Sequence, residues 1–313
     1  MADKTSPSDP ASPSNLRPWL RLVRLPALFT APADVLAGFS ILHGDWTPWQ
    51  PLVALVAAGV CLYAGGMVLN DWFDRKRDAA DRSDRPLPAG EISASAAAAL
   101  GFGLLGAGVG LGFLGGALAG NALRSGLVAL AVAVLVILYD GPLKSTLLAC
   151  PTMGACRATN LILGASAMEF ASHSGLWTVA LAMGCYVGGV TLYARREATV
   201  SDTHLLTPGF VAVNLGFATL AYAYLTQKWV EAPDLLPLAV LATVAISVDR
   251  RMATGLSNPT PQVVGPAVGV AILSIITLNA VTVMAATADA ALTLATVALL
   301  APAALLKKVA AVT

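Results

Sequence analysis

The chain has 313 residues, of which 57% are hydrophobic and 12% are charged. A soluble domain carries about twice that charged fraction, so the composition excludes an ordinary water-soluble protein and predicts one embedded in a lipid bilayer. The formal net charge of +1 provides no basic surface of the kind that binds nucleic acid, so we expect no nucleic-acid partner.

The N-terminal segment differs in composition from the rest of the chain. Residues 1–15 are rich in Ser, Pro, Ala and Asp and contain no apolar run. This composition argues against a secretory signal peptide and predicts a disordered cytoplasmic tail. We expect residues 16–313 to form a single transmembrane domain.

Apolar runs that suit membrane-crossing helices recur along the remainder of the chain. We predict spans at Pro26–His43, Pro51–Leu69, Ser93–Leu118, Ala122–Tyr139, Cys150–Ala171, Leu176–Ala194, Pro208–Thr226, Leu235–Val248, Val263–Ala285 and Ala290–Leu306. The eighth span is short, so the sequence allows nine or ten. The predicted fold class is all-α, a polytopic membrane bundle of nine to ten transmembrane helices.

The distribution of basic residues favours ten spans with a cytoplasmic N-terminus. In that topology, all but two of the 19 Lys and Arg residues lie on one side of the membrane, the exceptions being Arg124 and Lys228. Basic residues concentrate on the cytoplasmic side of membrane proteins. We therefore expect both termini in the cytoplasm, and the inner membrane as the location if the protein is bacterial.

A cluster of acidic residues follows the second predicted span. Asn70, Asp74 and Asp78 are four residues apart, and Asp71 lies three before Asp74, so all four side chains project from nearly one face of a helix. Carboxylates crowded in this way need a cation, and Mg²⁺ prefers oxygen ligands and leaves positions open for phosphate oxygens. The pattern predicts a diphosphate substrate whose tail lies in the membrane. A solvated loop in which neighbouring arginines pair with the carboxylates is the alternative.

The segment after this cluster reads Asp-Arg-Pro-Leu-Pro-Ala-Gly at residues 84–90. Arg85 offers a forked donor that suits phosphate oxygens. Pro86 and Pro88 stiffen the segment, and Gly90 permits a turn before the next helix.

The run Asn-Asp-x-x-Asp-x-x-x-Asp followed by Asp-Arg-Pro-Leu-Pro-x-Gly resembles the UbiA superfamily of intramembrane prenyltransferases. The resemblance implies a helical bundle with its active-site cavity on the cytoplasmic side. It also implies that Asn70, Asp71, Asp74 and Asp78 bind Mg²⁺ and the diphosphate of a prenyl donor. Departure of diphosphate would leave an allylic cation, which an aromatic or other small nucleophilic acceptor captures.

Two further groups of polar residues fit that reading. The resemblance implies a substrate-binding role for Tyr139 and for Lys144, which would neutralise charge on the leaving diphosphate; a lysine that only sets topology is the alternative. Arg157 and Asn160 are three residues apart on one face of an apolar helix, where charge is unfavourable without a partner. They are expected to bind diphosphate or acceptor, unless Arg157 pairs structurally with an aspartate.

The sixth predicted span ends in a way that departs from the superfamily. A second aspartate-rich motif is expected there, whereas this chain has TLYARREATVSD. Either one Mg²⁺ suffices, with Arg195 binding the diphosphate directly, or the donor is not a standard prenyl diphosphate. This ending, together with Arg157 and Asn160, most resembles the EboC-like branch.

Asp34 is an acidic residue inside the first predicted span. It is predicted either to act on the acceptor as an orienting group or base, or to be the counter-ion of Arg157.

The sequence favours a Mg²⁺-dependent prenyltransferase in which Asp71, Asp74, Lys144 and Asp34 are catalytic. It leaves two alternatives open. One is a terpene cyclase acting on the prenyl diphosphate alone, and the other is a non-catalytic lipid-diphosphate binding or transport protein.

Overall fold

The computed structural model describes residues 17–197, 199–227 and 235–312, without the side chains of residues 81 and 307–312. Within these residues every regular element is a helix. The predicted tail at residues 1–15 lies outside the described residues, and so does Lys228, one of the two basic residues predicted for the far side of the membrane.

The described helices follow one another with short connections. In chain order they are α1 (Arg17–Leu22), α2 (Leu25–Leu28), α3 (Thr30–His43), α4 (Trp49–Asp81), α5 (Ala94–Leu118), α6 (Ala122–Asp140), α7 (Ala149–Ala165), α8 (Ser174–Tyr193), α9 (Thr203–Thr226), α10 (Leu236–Ser257), α11 (Pro261–Thr287), α12 (Ala290–Val297) and α13 (Leu300–Val312). A short 3₁₀ turn, Ala194–Arg196, extends α8.

Each of the ten predicted spans overlaps a described helix, and the all-α prediction is confirmed. Seven helical segments are long and apolar enough to cross a membrane by length and composition. The other three spans fall short in different ways: α7 has 17 residues, α10 carries three consecutive charged residues at 249–251, and the last span is divided between α12 and α13. The count of nine to ten therefore stays a prediction.

The longest helix, α4, carries the aspartate cluster. The second span was predicted to end at Leu69, but α4 continues to Asp81 and has 33 residues. A helix of this length measures about 50 Å, which exceeds the roughly 30 Å of a bilayer core. The aspartate cluster therefore lies on a continuous extension of an apolar helix. We call this end of the bundle the aspartate end.

Helix α1 and the connection after α4 pack together at the aspartate end. Leu22, Val68 and Ile92 are buried in one small hydrophobic cluster. Apolar contacts therefore hold the connection against both α1 and α4. Gly90 in this connection has φ of 74°, a left-handed conformation that favours glycine and agrees with the predicted turn.

Helices α3 and α7 cross in close contact because two glycines face the opposite backbone. A Cβ on Gly38 would collide with the carbonyl oxygen of Leu161, and one on Gly164 would collide with that of Val35. Small residues at such crossings let membrane helices approach closely. This crossing brings Asp34 on α3 beside Arg157 on α7.

Candidate active site

The acidic residues of α4 face the interior at the aspartate end. Asn70, Asp71 and Asp78 are buried, and the side chain of Asp74 is only 11% exposed. Because α4 is helical throughout this region, the spacing of three and four residues places them along one face, as predicted. Buried carboxylates require positive partners, and each of the three aspartates has at least one.

Asp71 and Asp78 share the guanidinium of Arg85. The Nη1 atom of Arg85 donates to Asp71 Oδ1 over 3.1 Å and to Asp78 Oδ2 over 2.7 Å. One cationic nitrogen therefore lies between two carboxylates that are seven residues apart on α4. The arrangement depends on the connection after α4, which folds back so that Arg85 reaches the helix that precedes it.

Asp74 pairs with a different part of the chain. Its Oδ2 atom accepts from Nζ of Lys144 over 2.6 Å, and it also lies 3.0 Å from Nη2 of Arg77. The side chain of Lys144 is 18% exposed, whereas that of Arg77 is 63% exposed. Lys144 belongs to the connection between α6 and α7, so this ion pair joins two segments that both carry predicted site residues.

Arg24 is a site residue that the sequence reasoning missed. Its Nη2 atom donates to Asp71 Oδ1 over 3.0 Å and to Asn70 Oδ1 over 3.3 Å. The residue adopts a left-handed conformation with φ of 51°, which is uncommon outside glycine and concentrates at functional sites. The only available signal was its position just before the first span, where a basic residue also suits the topology.

The polar contacts continue from α4 to α6. Asn70 Nδ2 donates to Asp140 Oδ1 over 2.7 Å, and both side chains are buried. Tyr139 and Asp140 line an apolar cavity of about 50 Å³ between α4, α6 and α7. The sequence groups Asp140 with Tyr139 and Lys144 but assigns it no role. In this conformation the cavity holds only a few water-sized groups, so a prenyl chain would require side chains to move.

Arg157 and Asn160 lie deeper in the bundle and also line this cavity. Arg157 Nη1 donates to Asp34 Oδ2 over 2.8 Å, and Asn160 Nδ2 donates to the same oxygen over 3.0 Å. Asn279 Nδ2 on α11 donates to Asp34 Oδ1 over 2.8 Å. The structure thus brings Asp34 and Arg157 together as an ion pair, away from the aspartates of α4. Asn279 had not been singled out in the sequence.

Arg195 does not contact the aspartates of α4 in this conformation. Its Nη2 atom donates to the carbonyl oxygen of Ser145 over 3.0 Å, in the connection that carries Lys144. Its Nη1 atom is buried and has no hydrogen-bond partner among the described residues. Two residues further on, burial raises the pKa of the Glu197 carboxyl above its usual value, although Arg82 and Arg24 act in the opposite direction.

The structure brings only some of the predicted metal ligands close to one another. Among the described residues, no group of three His, Cys, Asp or Glu side chains converges on one point as a metal site would require. Asp71 and Asp78 nevertheless approach the same cation, the Arg85 guanidinium. An all-oxygen donor set that already accommodates positive charge at this point fits a hard divalent ion such as Mg²⁺.

Relatives with curated names match parts of the chain. A digeranylgeranylglyceryl phosphate synthase of Metallosphaera sedula is 33% identical over 133 residues, covering 42% of this chain and 44% of the relative. The synthase of Methanosarcina mazei is 31% identical over 176 residues, covering 52% and 59%. The chain therefore matches about half the length of these relatives.

Solved structures share the fold over most of the chain. A digeranylgeranylglyceryl phosphate synthase structure superposes with a TM-score of 0.62 at 18% identity, covering 88% of this chain and 99% of that one. A UbiA homologue from Archaeoglobus fulgidus bound to GPP and Mg²⁺ gives 0.60 at 16% identity, covering 85% and 99%.

A family profile covers the region that contains most of the site described above. The profile of the UbiA prenyltransferase family matches residues 33–203, which is more than half of the chain and includes the aspartate cluster, Lys144 and Arg157. The helical segments that suit membrane crossing agree with the multi-pass architecture of such a protein. On this evidence the chain belongs to the UbiA prenyltransferase family, as an integral multi-pass membrane protein.

Proposed function

We propose that this protein is a Mg²⁺-dependent prenyltransferase that moves a prenyl group from a prenyl diphosphate to a small acceptor. The observation that carries the proposal is the buried face of α4, where Asp71, Asp74 and Asp78 meet Arg24, Arg85 and Lys144. Three anions and three cations held at one site can exchange partners with a metal–diphosphate pair without a large change in local charge. An ordinary structural ion pair needs no such concentration of charge.

The roles of these residues follow from their charge and position. The carboxylates of Asp71, Asp74 and Asp78, with the amide oxygen of Asn70, would hold Mg²⁺, which when bound neutralises the leaving diphosphate. Arg24, Arg85 and Lys144 would then release their carboxylate partners and bind diphosphate oxygens, because these oxygens gain negative charge when the carbon–oxygen bond breaks. Arg195, with one unpaired buried nitrogen, would add a further donor.

The prenyl chain is expected to enter the cavity that begins at Tyr139 and Asp140. Its lining is predominantly apolar and includes Gly59 and Gly66 on α4. Arg157 and Asn160 also line this cavity, but Arg157 Nη1 and Nη2 and Asn160 Nδ2 already donate to Asp34, Thr30 and the Ala31 carbonyl. Asp34 is accordingly proposed as the counter-ion of Arg157 rather than as a base.

The acceptor is the part of the sequence prediction that the comparisons modify. An aromatic acceptor was one expectation, but the curated relatives are named for making a glyceryl phosphate that carries geranylgeranyl groups. We therefore propose a hydroxyl-bearing acceptor of the glyceryl phosphate type. In this reaction the acceptor oxygen forms a bond to the allylic carbon and loses its proton, while diphosphate leaves with the electron pair of the broken bond.

Prenyl transfer by the purified full-length protein tests the proposal. Geranyl, farnesyl, geranylgeranyl and phytyl diphosphates would be supplied with and without Mg²⁺, alone and with a glyceryl phosphate lipid or an aromatic acid. Diphosphate release and the prenylated product would be measured for the wild type and for Asp74→Asn. Asp45→Asn serves as the control, because Asp45 is an exposed carboxylate in the connection between α3 and α4.

Transfer that requires both Mg²⁺ and Asp74, and that Asp45→Asn leaves unchanged, is the expected result. A cyclic hydrocarbon or alcohol formed from the donor alone would instead establish the terpene cyclase reading. Failure to release diphosphate with any pair of substrates, from protein that remains folded, would contradict an enzymatic role. The non-catalytic binding or transport reading would then be preferred.

A further inference from the structure

A groove lies on the protein surface between α10 and the first turns of α11. It has a volume of about 830 Å³ and is open to the outside. Arg250, Arg251 and Gln262 contribute polar groups to its lining, whereas Ile246 and Pro266 contribute apolar surface. The groove is therefore amphipathic, and it shares no residue with the aspartate face of α4.

The two arginines present positive charge to this groove without a matching carboxylate. Arg251 Nη1 donates to the carbonyl and hydroxyl oxygens of Ser247, both over 2.9 Å. Across the described part of the chain, neither arginine forms an ion pair, and no acidic residue lines the groove. The adjacent Asp249 accepts from Nδ2 of Asn214 on α9 over 3.1 Å, so it is engaged with another helix.

The position of the arginines along α10 matters for the identity of the partner. Arg250 lies 14 residues after the start of α10 at Leu236, a distance of about 21 Å along the helix axis. The part of α10 before Asp249 carries no charged residue, so the two arginines follow directly on apolar helix surface. An arginine beside such apolar surface at a membrane is most favourable where it reaches polar headgroups or an anion. Ile246, which is 59% exposed, lies one helical turn before Arg250 in the apolar part of α10.

We propose that this groove binds an anionic glycerophospholipid of the surrounding membrane. Its phosphate would lie at Arg250 and Arg251, with the Gln262 amide as an additional donor. One acyl chain would lie along Ile246 and Pro266, further into the bilayer. Basic pockets between membrane helices select lipids with negatively charged headgroups in this way, because charge and apolar surface are recognised together. The inference stands independently of the proposed prenyl transfer.

Retention of lipid by the purified full-length protein tests this site. Native mass spectrometry would measure binding of phosphatidylglycerol and of phosphatidylcholine, which differ in net charge but carry the same acyl chains. The variant is Arg250→Gln with Arg251→Gln. The matched control is Arg82→Gln with Arg196→Gln, which removes the same charge from two exposed positions outside the groove.

The wild type is expected to retain phosphatidylglycerol in preference to phosphatidylcholine. Each arginine near an anionic lipid contributes roughly fivefold to binding, so the groove variant is expected to lose about 30-fold, while the control keeps wild-type retention. Arg250→Lys with Arg251→Lys keeps the charge and is expected to preserve most of the binding. This second variant separates loss of the site from loss of the fold, which size-exclusion chromatography monitors in parallel.

Three results would overturn the proposal. Equal retention of phosphatidylglycerol by the wild type and the groove variant would show that the arginines do not hold the lipid. Equal retention of the two lipids by the wild type would show that charge is not selected. Displacement of phosphatidylglycerol by millimolar inorganic phosphate would show a free-anion site in which the acyl chain has no part.

Discussion

Asp74 and Lys144 are 70 residues apart in the chain and are joined by a hydrogen-bonded ion pair of 2.6 Å between Oδ2 and Nζ. The pair connects the aspartate face of α4 with the segment between α6 and α7. The same oxygen of Asp74 also lies 3.0 Å from the exposed Arg77. Lys144 is largely buried and Arg77 is exposed, yet both pair with this one oxygen. Substituting each in turn therefore distinguishes a substrate-binding role of Lys144 from a simple ion pair with Asp74.

We expect Lys144→Met to lower kcat/KM for prenyl transfer by about 100-fold, because removing one preorganised donor to developing negative charge has effects of this size. Arg77→Gln is the matched control and is expected to change kcat/KM by less than about fivefold, since exposed ion pairs contribute little. Steady-state kinetics with a prenyl diphosphate measures both. A comparable loss in the two variants would show that Lys144 acts only through Asp74.

The contact between α1 and the connection after α4 leads to a second prediction. Arg21 Nη2 donates to the carbonyl oxygen of Asp84 over 2.7 Å, immediately before Arg85, and Nη1 lies 3.4 Å from Glu91. Arg21→Gln should loosen Arg85 and raise KM for the donor several-fold, with a smaller change in kcat. Glu91→Gln removes only the longer, exposed ion pair and should leave KM unchanged. Unchanged KM in Arg21→Gln would show that apolar packing alone positions Arg85.

The buried pair of Asp34 and Arg157 predicts a large effect on stability. Asp34→Asn leaves the guanidinium of Arg157 without its counter-ion in the bundle, a change that destabilises folded proteins by about 3–5 kcal/mol. Asp34→Asn combined with Arg157→Met should be less destabilised than Asp34→Asn alone, because no buried charge remains unpaired. Thermal unfolding in detergent compares them. A double variant less stable than the single one would contradict the counter-ion role.

The crossing of α3 and α7 gives a prediction with an internal control. Gly164→Ala places a methyl group against the Val35 carbonyl, so the helices must separate and the melting temperature should fall. Gly106→Ala lies on α5, where an added Cβ meets nothing within 4 Å, so it should be neutral or slightly stabilising. Thermal unfolding distinguishes the two, and an equal response would show that the crossing tolerates a wider separation.

Much of the candidate site could be predicted because the residue spacing that indicates it lies within a single helix. The spacing of Asn70, Asp71, Asp74 and Asp78 indicated one helix face, and α4 is helical throughout this segment. The ends of the helices were predicted less accurately. The fifth span was predicted to continue to Ala171, whereas α7 ends at Ala165. Helix ends depend on which backbone groups find partners elsewhere, and an apolar run does not contain that information.

Arg24 shows why other parts could not be predicted. It lies 47 residues before Asp71 in the chain and reaches it only through a left-handed turn between α1 and α2.

Three parts of the sequence analysis stay predictions. They are the metal and diphosphate roles of the site residues, the cytoplasmic orientation of the termini and the EboC-like branch. None of them follows from the helix positions alone.

By itself, the sequence determined that this protein is a helical membrane protein with a row of carboxylates at the end of one helix, because apolar runs and helical spacing are local properties. Tertiary structure alone decided which cation meets which carboxylate. Arg85 and Lys144 approach α4 from different segments, and Asp34 meets Arg157 because Gly38 and Gly164 let two helices touch. Such pairings depend on helix crossings, whose geometry is set by packing between distant parts of the chain.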